Sequence, residues 1–168
     1  MENKNIWTLI TGASSGIGYR YAEELAAQGY NLLLVSNEEP LLSETAGQLA
    51  RQYGVETRPL YMDLATSDAA DRLYATCQDW NIRIDLLINN AGMYRFGETL
   101  DIERDFTAKM IALHVLTPTK LCLLFGKDMR RQRHGYILNM SSVTAWLAYP
   151  GINAVSYTHL RAHETVLD

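Results

Sequence analysis

Five short runs rich in Ile, Leu and Val, at residues 6–10, 31–35, 57–62, 86–88 and 136–140, alternate with longer stretches of helical spacing at 17–28, 40–53, 69–80 and 102 to about 133. Most of the short runs are apolar on both faces, as parallel strands covered on both sides must be. In the second helical stretch Leu41, Leu42, Ala46, Leu49 and Ala50 recur near every fourth position and predict one buried stripe. The order β-α-β-α-β-α-β-α-β predicts right-handed crossovers and a doubly wound parallel α/β sheet, with its ligand site at the carboxyl ends of the strands. No repeat, low-complexity stretch or linker interrupts the pattern before residue 150.

The first strand runs into Thr11-Gly12-Ala13-Ser14-Ser15-Gly16-Ile17-Gly18, and a helical pattern follows at once. That context makes a glycine motif informative. Gly12 permits a tight turn, Gly16 lets a pyrophosphate approach the backbone, and Gly18 lets the helix pack close to the strand. The amides that open the helix, at the positive end of its dipole, then face the phosphates, and Ser14 and Ser15 can add hydroxyl donors. The other reading is an ordinary strand-to-helix turn. A Walker-type phosphate loop is excluded, because no Lys follows the last glycine.

Composition narrows the partners. The 168 residues are 48% hydrophobic and 20% charged, with a formal net charge of -4, which suits one globular domain and offers no excess of cations for a nucleic-acid backbone. Arg130, Arg131 and Arg133 form a short basic cluster, placed where cations favour a helix end. Cys77 and Cys122 lie in apolar helical patterns, which points to reduced core thiols and a cytoplasmic location. No apolar stretch approaches the roughly 18 residues that a bilayer span needs, so neither export nor a membrane is expected.

The turn at 11–18 resembles the Thr-Gly-x-x-x-Gly-x-Gly motif of the short-chain dehydrogenase/reductase family, and matches it in full. Asn89-Asn90-Ala91-Gly92, after the fourth strand, resembles the turn that steadies the sheet centre in that family and lines the adenosine end of the cofactor pocket. Asp63-Leu64 matches the family's acidic residue near the adenine ring; Asp63 could equally cap the helix after Thr66 or Ser67. Asn139-Met140-Ser141-Ser142 fits the family's Asn-x-Ser pattern and puts Ser142 in the catalytic place, unless that serine only ends a strand. The resemblance covers residues 6 to about 154. It implies a Rossmann-type sheet, here incomplete with about five strands, a homo-oligomeric parent, a small carbonyl or alcohol substrate, and a nicotinamide cofactor. Cofactor choice depends on the residues just after the second strand, where an acidic group binds ribose hydroxyls and an Arg binds a 2′-phosphate. These are Ser36 and Asn37, which lean slightly to NADP over NAD.

Three departures stand out. His114 occupies the place of the family's helix Asn; it is either a core histidine or a substitute in the proton relay. Pro118 lies inside the same helix, where the lost hydrogen bond costs about 3 kcal/mol and predicts a kink. The family's general acid/base Tyr and its Lys, four residues later, would fall at 155 and 159, which are Val155 and His159. Tyr157 and Arg161 imitate the pair two residues late, and Arg is a poor substitute for that Lys. The reading is therefore a nucleotide-binding domain over 1–154, cut before the last strands, with a non-native tail over 155–168 that resembles translated vector sequence. His159, His163 and Glu164 are not expected to bind metal.

The expected activity is reversible hydride transfer between a nicotinamide and a carbonyl or secondary alcohol. Ser142 would hold the substrate oxygen and His114 would support the relay. The alternative is an inactive nucleotide-binding fragment. A cofactor-sensing regulator would not need Ser142.

Overall fold

The computed structural model describes residues 7–95 and 102–142. Its elements are β1 (Trp7–Thr11), α1 (Gly16–Ala27), β2 (Asn31–Ser36), α2 (Glu39–Tyr53), β3 (Thr57–Tyr61), α3 (Ala69–Asp79), β4 (Ile84–Asn89), α4 (Arg104–Ile111), a π-helical turn (Ala112–Leu116), α5 (Thr117–Gln132) and β5 (Tyr136–Asn139). The strands form one sheet in the order β3-β2-β1-β4-β5. All four pairings are parallel. This is the doubly wound α/β sheet that the alternation of strand and helix implies. The chain builds outward from β1 to β3, then returns to β4 on the other side of β1. A crevice opens at such a reversal, at the carboxyl ends of β1 and β4.

Period-two alternation sends neighbouring residues to opposite faces of the sheet. Ile10, Leu32, Leu34 and Ile88 pack with Ala22, Ala26, Leu42, Ala46 and Leu49 of α1 and α2. Leu9, Leu33, Val35 and Leu87 pack on the other face with Leu73 and Cys77 of α3 and Leu121, Phe125 and Met129 of α5. β1 and β2 are buried throughout, whereas β3 and β5 are partly exposed because they lie at the sheet edges. Pro59 is accommodated in β3 for the same reason, since an edge strand can lack one ladder donor.

On α2 the buried stripe is Leu42, Thr45, Ala46 and Leu49, at i, i+3, i+4 and i+7. Leu41, expected in that stripe, is exposed, because one residue along a helix turns a side chain by about 100°. Just before Pro118, where the sequence predicts a kink, stands the π-helical turn Ala112–Leu116. A proline cannot donate to the preceding turn and crowds its carbonyl, and a widened turn relieves both conflicts. Arg130 and Arg131 lie in the last turn of α5, next to its unpaired carbonyls.

One expectation about apolar stretches is corrected. The continuous helical stretch from 104 to 132 is long and apolar enough to cross a bilayer, by length and composition alone. Its Leu121, Phe125 and Met129 are core residues, while Ile111, Leu116 and Leu123 are exposed.

Candidate active site

The turn between β1 and α1 is folded back onto β2. Gly12, at φ +66°, and Ala13 both donate their backbone N–H to the carbonyl of Val35, at 2.8 and 3.2 Å. A Cβ on Gly12 would stand 2.9 Å from the Ala91 backbone, and one on Gly18 would stand 2.1 Å from the carbonyl oxygen of Gly12. Both positions therefore require glycine for close packing. Gly16 differs, with φ +58° and nothing within 4 Å of where its Cβ would lie. The open side of Gly16 adjoins the start of α1, whose N-cap Ser15 makes no side-chain capping bond. Uncapped amides beside an open glycine face fit a pyrophosphate, so the residues present suit a dinucleotide. Ser15 and Ile17 are exposed at this mouth, and Ser14 is buried behind it.

The Asn-Asn-Ala-Gly turn is clasped to the glycine turn. Asn90 Nδ2 donates to the carbonyls of Thr11 and Gly12 at 3.0 and 3.1 Å. Thr11 Oγ1 accepts the N–H groups of Asn90 and Ala91 at 2.9 and 3.0 Å and faces the Ile88 carbonyl at 3.4 Å. This network locks the carboxyl ends of β1 and β4 together, at the place where the sheet reverses.

Around that centre lie the other expected site residues. Asp63 is exposed, and its Oδ1 accepts the Ala65 N–H at 2.9 Å, which closes a local turn. It does not cap α3, whose N-cap is Asp68. Leu64 is buried, and its carbonyl accepts a hydrogen bond from Thr117 Oγ1 at 2.8 Å, tying the end of β3 to the start of α5.

His114, in the π-helical turn, faces Met93. Its Nε2 lies 2.9 Å from the Met93 N–H and 2.8 Å from the Met93 carbonyl, and its ring packs so close to Gly92 that a Cβ there would come within 2.9 Å. The imidazole thus shapes the end of the Asn-Asn-Ala-Gly turn, and burial pushes its pKa down. Side by side on β4 and β5, Asn89 Nδ2 donates to Asn139 Oδ1 at 2.8 Å, and Cys122 Sγ lies 3.5 Å from both amides. The Met140 N–H then donates to the Asn89 carbonyl at 2.9 Å, so Ser141 and Ser142 emerge beside the end of β4. Ser142 is half-buried there.

The structure therefore gathers the glycine turn, Asn90 to Gly92, His114 and Ser142 at one end of the sheet. Tyr157, Arg161, Val155, His159, His163 and Glu164 lie outside the described residues. At the opposite end, a cleft of about 330 Å³ between α3 and α5 includes Arg83, Asp128 and Arg131. Arg131 pairs with Asp128, and Arg83 pairs with Asp85, so those charges are internally balanced. The contacts of Thr117 with Leu64 and of Cys122 with Asn89 and Asn139 join residues far apart in the sequence, so residue spacing alone does not announce them.

A doubly wound sheet with a glycine turn after its first strand, clasped to an Asn-Asn-Ala-Gly turn after its fourth, defines a Rossmann-type α/β domain. The family model for short chain dehydrogenases matches residues 6–158, and the chain belongs to that family of oxidoreductases. It is 33% identical over 156 residues to the human very-long-chain 3-oxoacyl-CoA reductase, which covers 90% of this chain and 49% of that protein. It is 37% identical over 140 residues to YmfI, an uncharacterized oxidoreductase of Bacillus subtilis, covering 83% of this chain and 57% of that one. Among solved structures, a short-chain dehydrogenase from Sphingobium yanoikuyae in complex with NADPH superposes with a TM-score of 0.86 at 30% identity, over 92% of this chain and 60% of that one. The chain thus spans about half the length of the curated relatives it matches.

Proposed function

We propose that this chain carries the cofactor half of an oxidoreductase that moves a hydride between a nicotinamide dinucleotide and the carbonyl or secondary alcohol of a small molecule. The observation that carries the reading is the Thr11–Asn90 clasp, which holds an open glycine face and uncapped helix amides at the topological switch of the sheet. A bound nicotinamide would supply the hydride. Gly12, Ser15, Gly16, Ile17 and Gly18 would cradle its pyrophosphate, and Asp63, Leu64, Asn90, Ala91 and Gly92 would flank the adenosine. The NADPH held by the Sphingobium relative supports a site that accommodates this class of cofactor.

On this reading Ser142 donates a hydrogen bond to the substrate oxygen as negative charge develops on it. His114 holds Met93 in place and supports the relay from there. A cytoplasmic location and a homo-oligomeric parent belong to the same proposal; the free thiols Cys77 and Cys122 support the first, and exposed Ile111, Leu116 and Leu123 support the second. The proposal includes neither a nucleic-acid nor a membrane partner.

A second reading, binding without turnover, is favoured by Val155 and His159, which stand where the family resemblance calls for Tyr and Lys. Titrating the 168-residue chain with NADH and NADPH, followed by a carbonyl-reduction assay, separates the readings. Binding with turnover that Ser142→Ala abolishes supports the first. Binding without turnover supports the second, and failure to bind either nucleotide overturns both.

A further inference from the structure

Glu38 stands at the N-cap of α2, yet its side chain caps nothing there. The carboxylate turns back to the glycine turn instead, and Oε2 accepts a hydrogen bond from Ser14 Oγ at 2.7 Å. Ser14 Oγ lies 2.9 Å from Ser36 Oγ, and Ser36 Oγ accepts the Glu38 backbone N–H at 3.2 Å. The proton positions follow from the two ends of this loop. A carboxylate can only accept and an amide N–H can only donate, so Ser14 gives its proton to Glu38 and Ser36 gives its proton to Ser14. Each hydroxyl donates once and accepts once. The ring is closed, and its members reinforce one another.

Two consequences follow for anything that binds between the glycine turn and the end of β2. The Ser14 hydroxyl proton, expected from sequence to reach a phosphate, is already committed to Glu38. A negative charge is also fixed at this point, and among the described residues its second oxygen, Oε1, takes no hydrogen bond. Glu39 adds another acidic group at the next position, and neither 11–19 nor 36–42 contains a Lys or Arg.

In doubly wound dinucleotide sites the adenosine ribose comes to the residues just after the second strand, where a carboxylate suits a free hydroxyl and an Arg suits a 2′-phosphate. We propose that Glu38, held by Ser14 and Ser36, reads the 2′ position of the cofactor ribose and makes this chain prefer NAD(H) to NADP(H). The inference rests on the dinucleotide reading above. It reverses the lean toward NADP drawn from Ser36 and Asn37, because the acidic group missing from those two positions is supplied by the next residue, folded back over the turn.

The test is direct binding, by nicotinamide fluorescence, of NADH and NADPH to the 168-residue chain and to Glu38→Gln. The variant keeps an acceptor for Ser14 and removes only the charge. The expected result is NADH tighter than NADPH by about tenfold or more in the parent chain, with the gap narrowing to about threefold or less in the variant. Should Glu38→Gln not fold, Asn37→Arg, at an exposed position beside the same carboxylate, carries the test and should shift the ratio about tenfold toward NADPH. NADPH binding as tightly as NADH in the parent, or a ratio unmoved by either variant, overturns the role of Glu38 and leaves the dinucleotide site standing. Binding of neither nucleotide overturns both.

Discussion

Thr11 and Asn90 hold each other by both backbone and side chain: the Thr11 hydroxyl accepts the Asn90 N–H at 2.9 Å, and the Asn90 amide donates to the Thr11 carbonyl at 3.0 Å. Thr11 Oγ1 also takes the Ala91 N–H, so one hydroxyl satisfies two amides in a partly buried turn. Thr11→Ala should therefore destabilise the chain by about 1–3 kcal/mol, the range for leaving such donors unpaired. Thr11→Ser should recover most of that loss. Urea unfolding of the three proteins is the check, and equal stability of the Ala and parent chains would contradict the clasp.

Gly16 and Gly18 should respond differently to the same substitution. A Cβ at 18 meets the Gly12 carbonyl oxygen at 2.1 Å, whereas a Cβ at 16 meets nothing. Gly18→Ala is expected to destabilise the fold, because backbone must move. Gly16→Ala pays only the left-handed φ strain of about 1–2 kcal/mol, yet should weaken nucleotide binding at least about tenfold by filling the open face. Thermal melts and nucleotide titration of both variants separate these effects.

His114 makes stability depend on pH in a definite direction. Burial is the larger influence on the imidazole and lowers its folded pKa, while the Met93 backbone contact opposes it. A depressed histidine is protonated more readily in the unfolded chain. Its contribution is thus fully present above the unfolded value of about 6.5, and is lost as pH falls below that toward the folded value. Between pH 7.5 and 5.5 the parent should lose stability with a slope of no more than about 1.4 kcal/mol per pH unit from this one group. His114→Gln should flatten that part of the profile.

Burial raises the thiol pKa of Cys77 to about 12, and that of Cys122 also rises despite the opposing contacts with Asn139 and Asn89. Thiolate is the reactive form, so neither cysteine should be alkylated rapidly in the native chain near pH 8. Iodoacetamide labelling followed by mass spectrometry should show partly exposed Cys122 modified slowly in the native chain and buried Cys77 modified only on unfolding.

Much of the architecture is legible in the sequence because the deciding patterns are local. The apolar runs at 32–35 and 86–88, each short and followed by a helical pattern, read as interior parallel strands, and a glycine turn directly after the first strand indicates the carboxyl end of the sheet as the ligand end. The two edge strands are less distinct, since β3 and β5 are only partly buried and carry polar residues among the apolar ones. Register-dependent details were not legible at all. Nothing in the spacing of Ser14, Ser36 and Glu38 announces a closed ring, because it exists only once β1 and β2 pair and the glycine turn folds over Val35. The meeting of His114 with Met93 likewise takes place in the widened turn before Pro118, where the sequence predicts a kink rather than a π-helical turn.

The proposed function requires a nicotinamide dinucleotide to bind at the joined ends of β1 and β4. Amide hydrogen exchange of the 168-residue chain, with and without saturating NADH, locates that binding without depending on turnover. Slowed exchange is expected on adding nucleotide at 12–18, 36–38 and 89–93, with α3 and the cleft near Arg83 unchanged. Protection confined to the α3–α5 end, or none at the glycine turn, would contradict it.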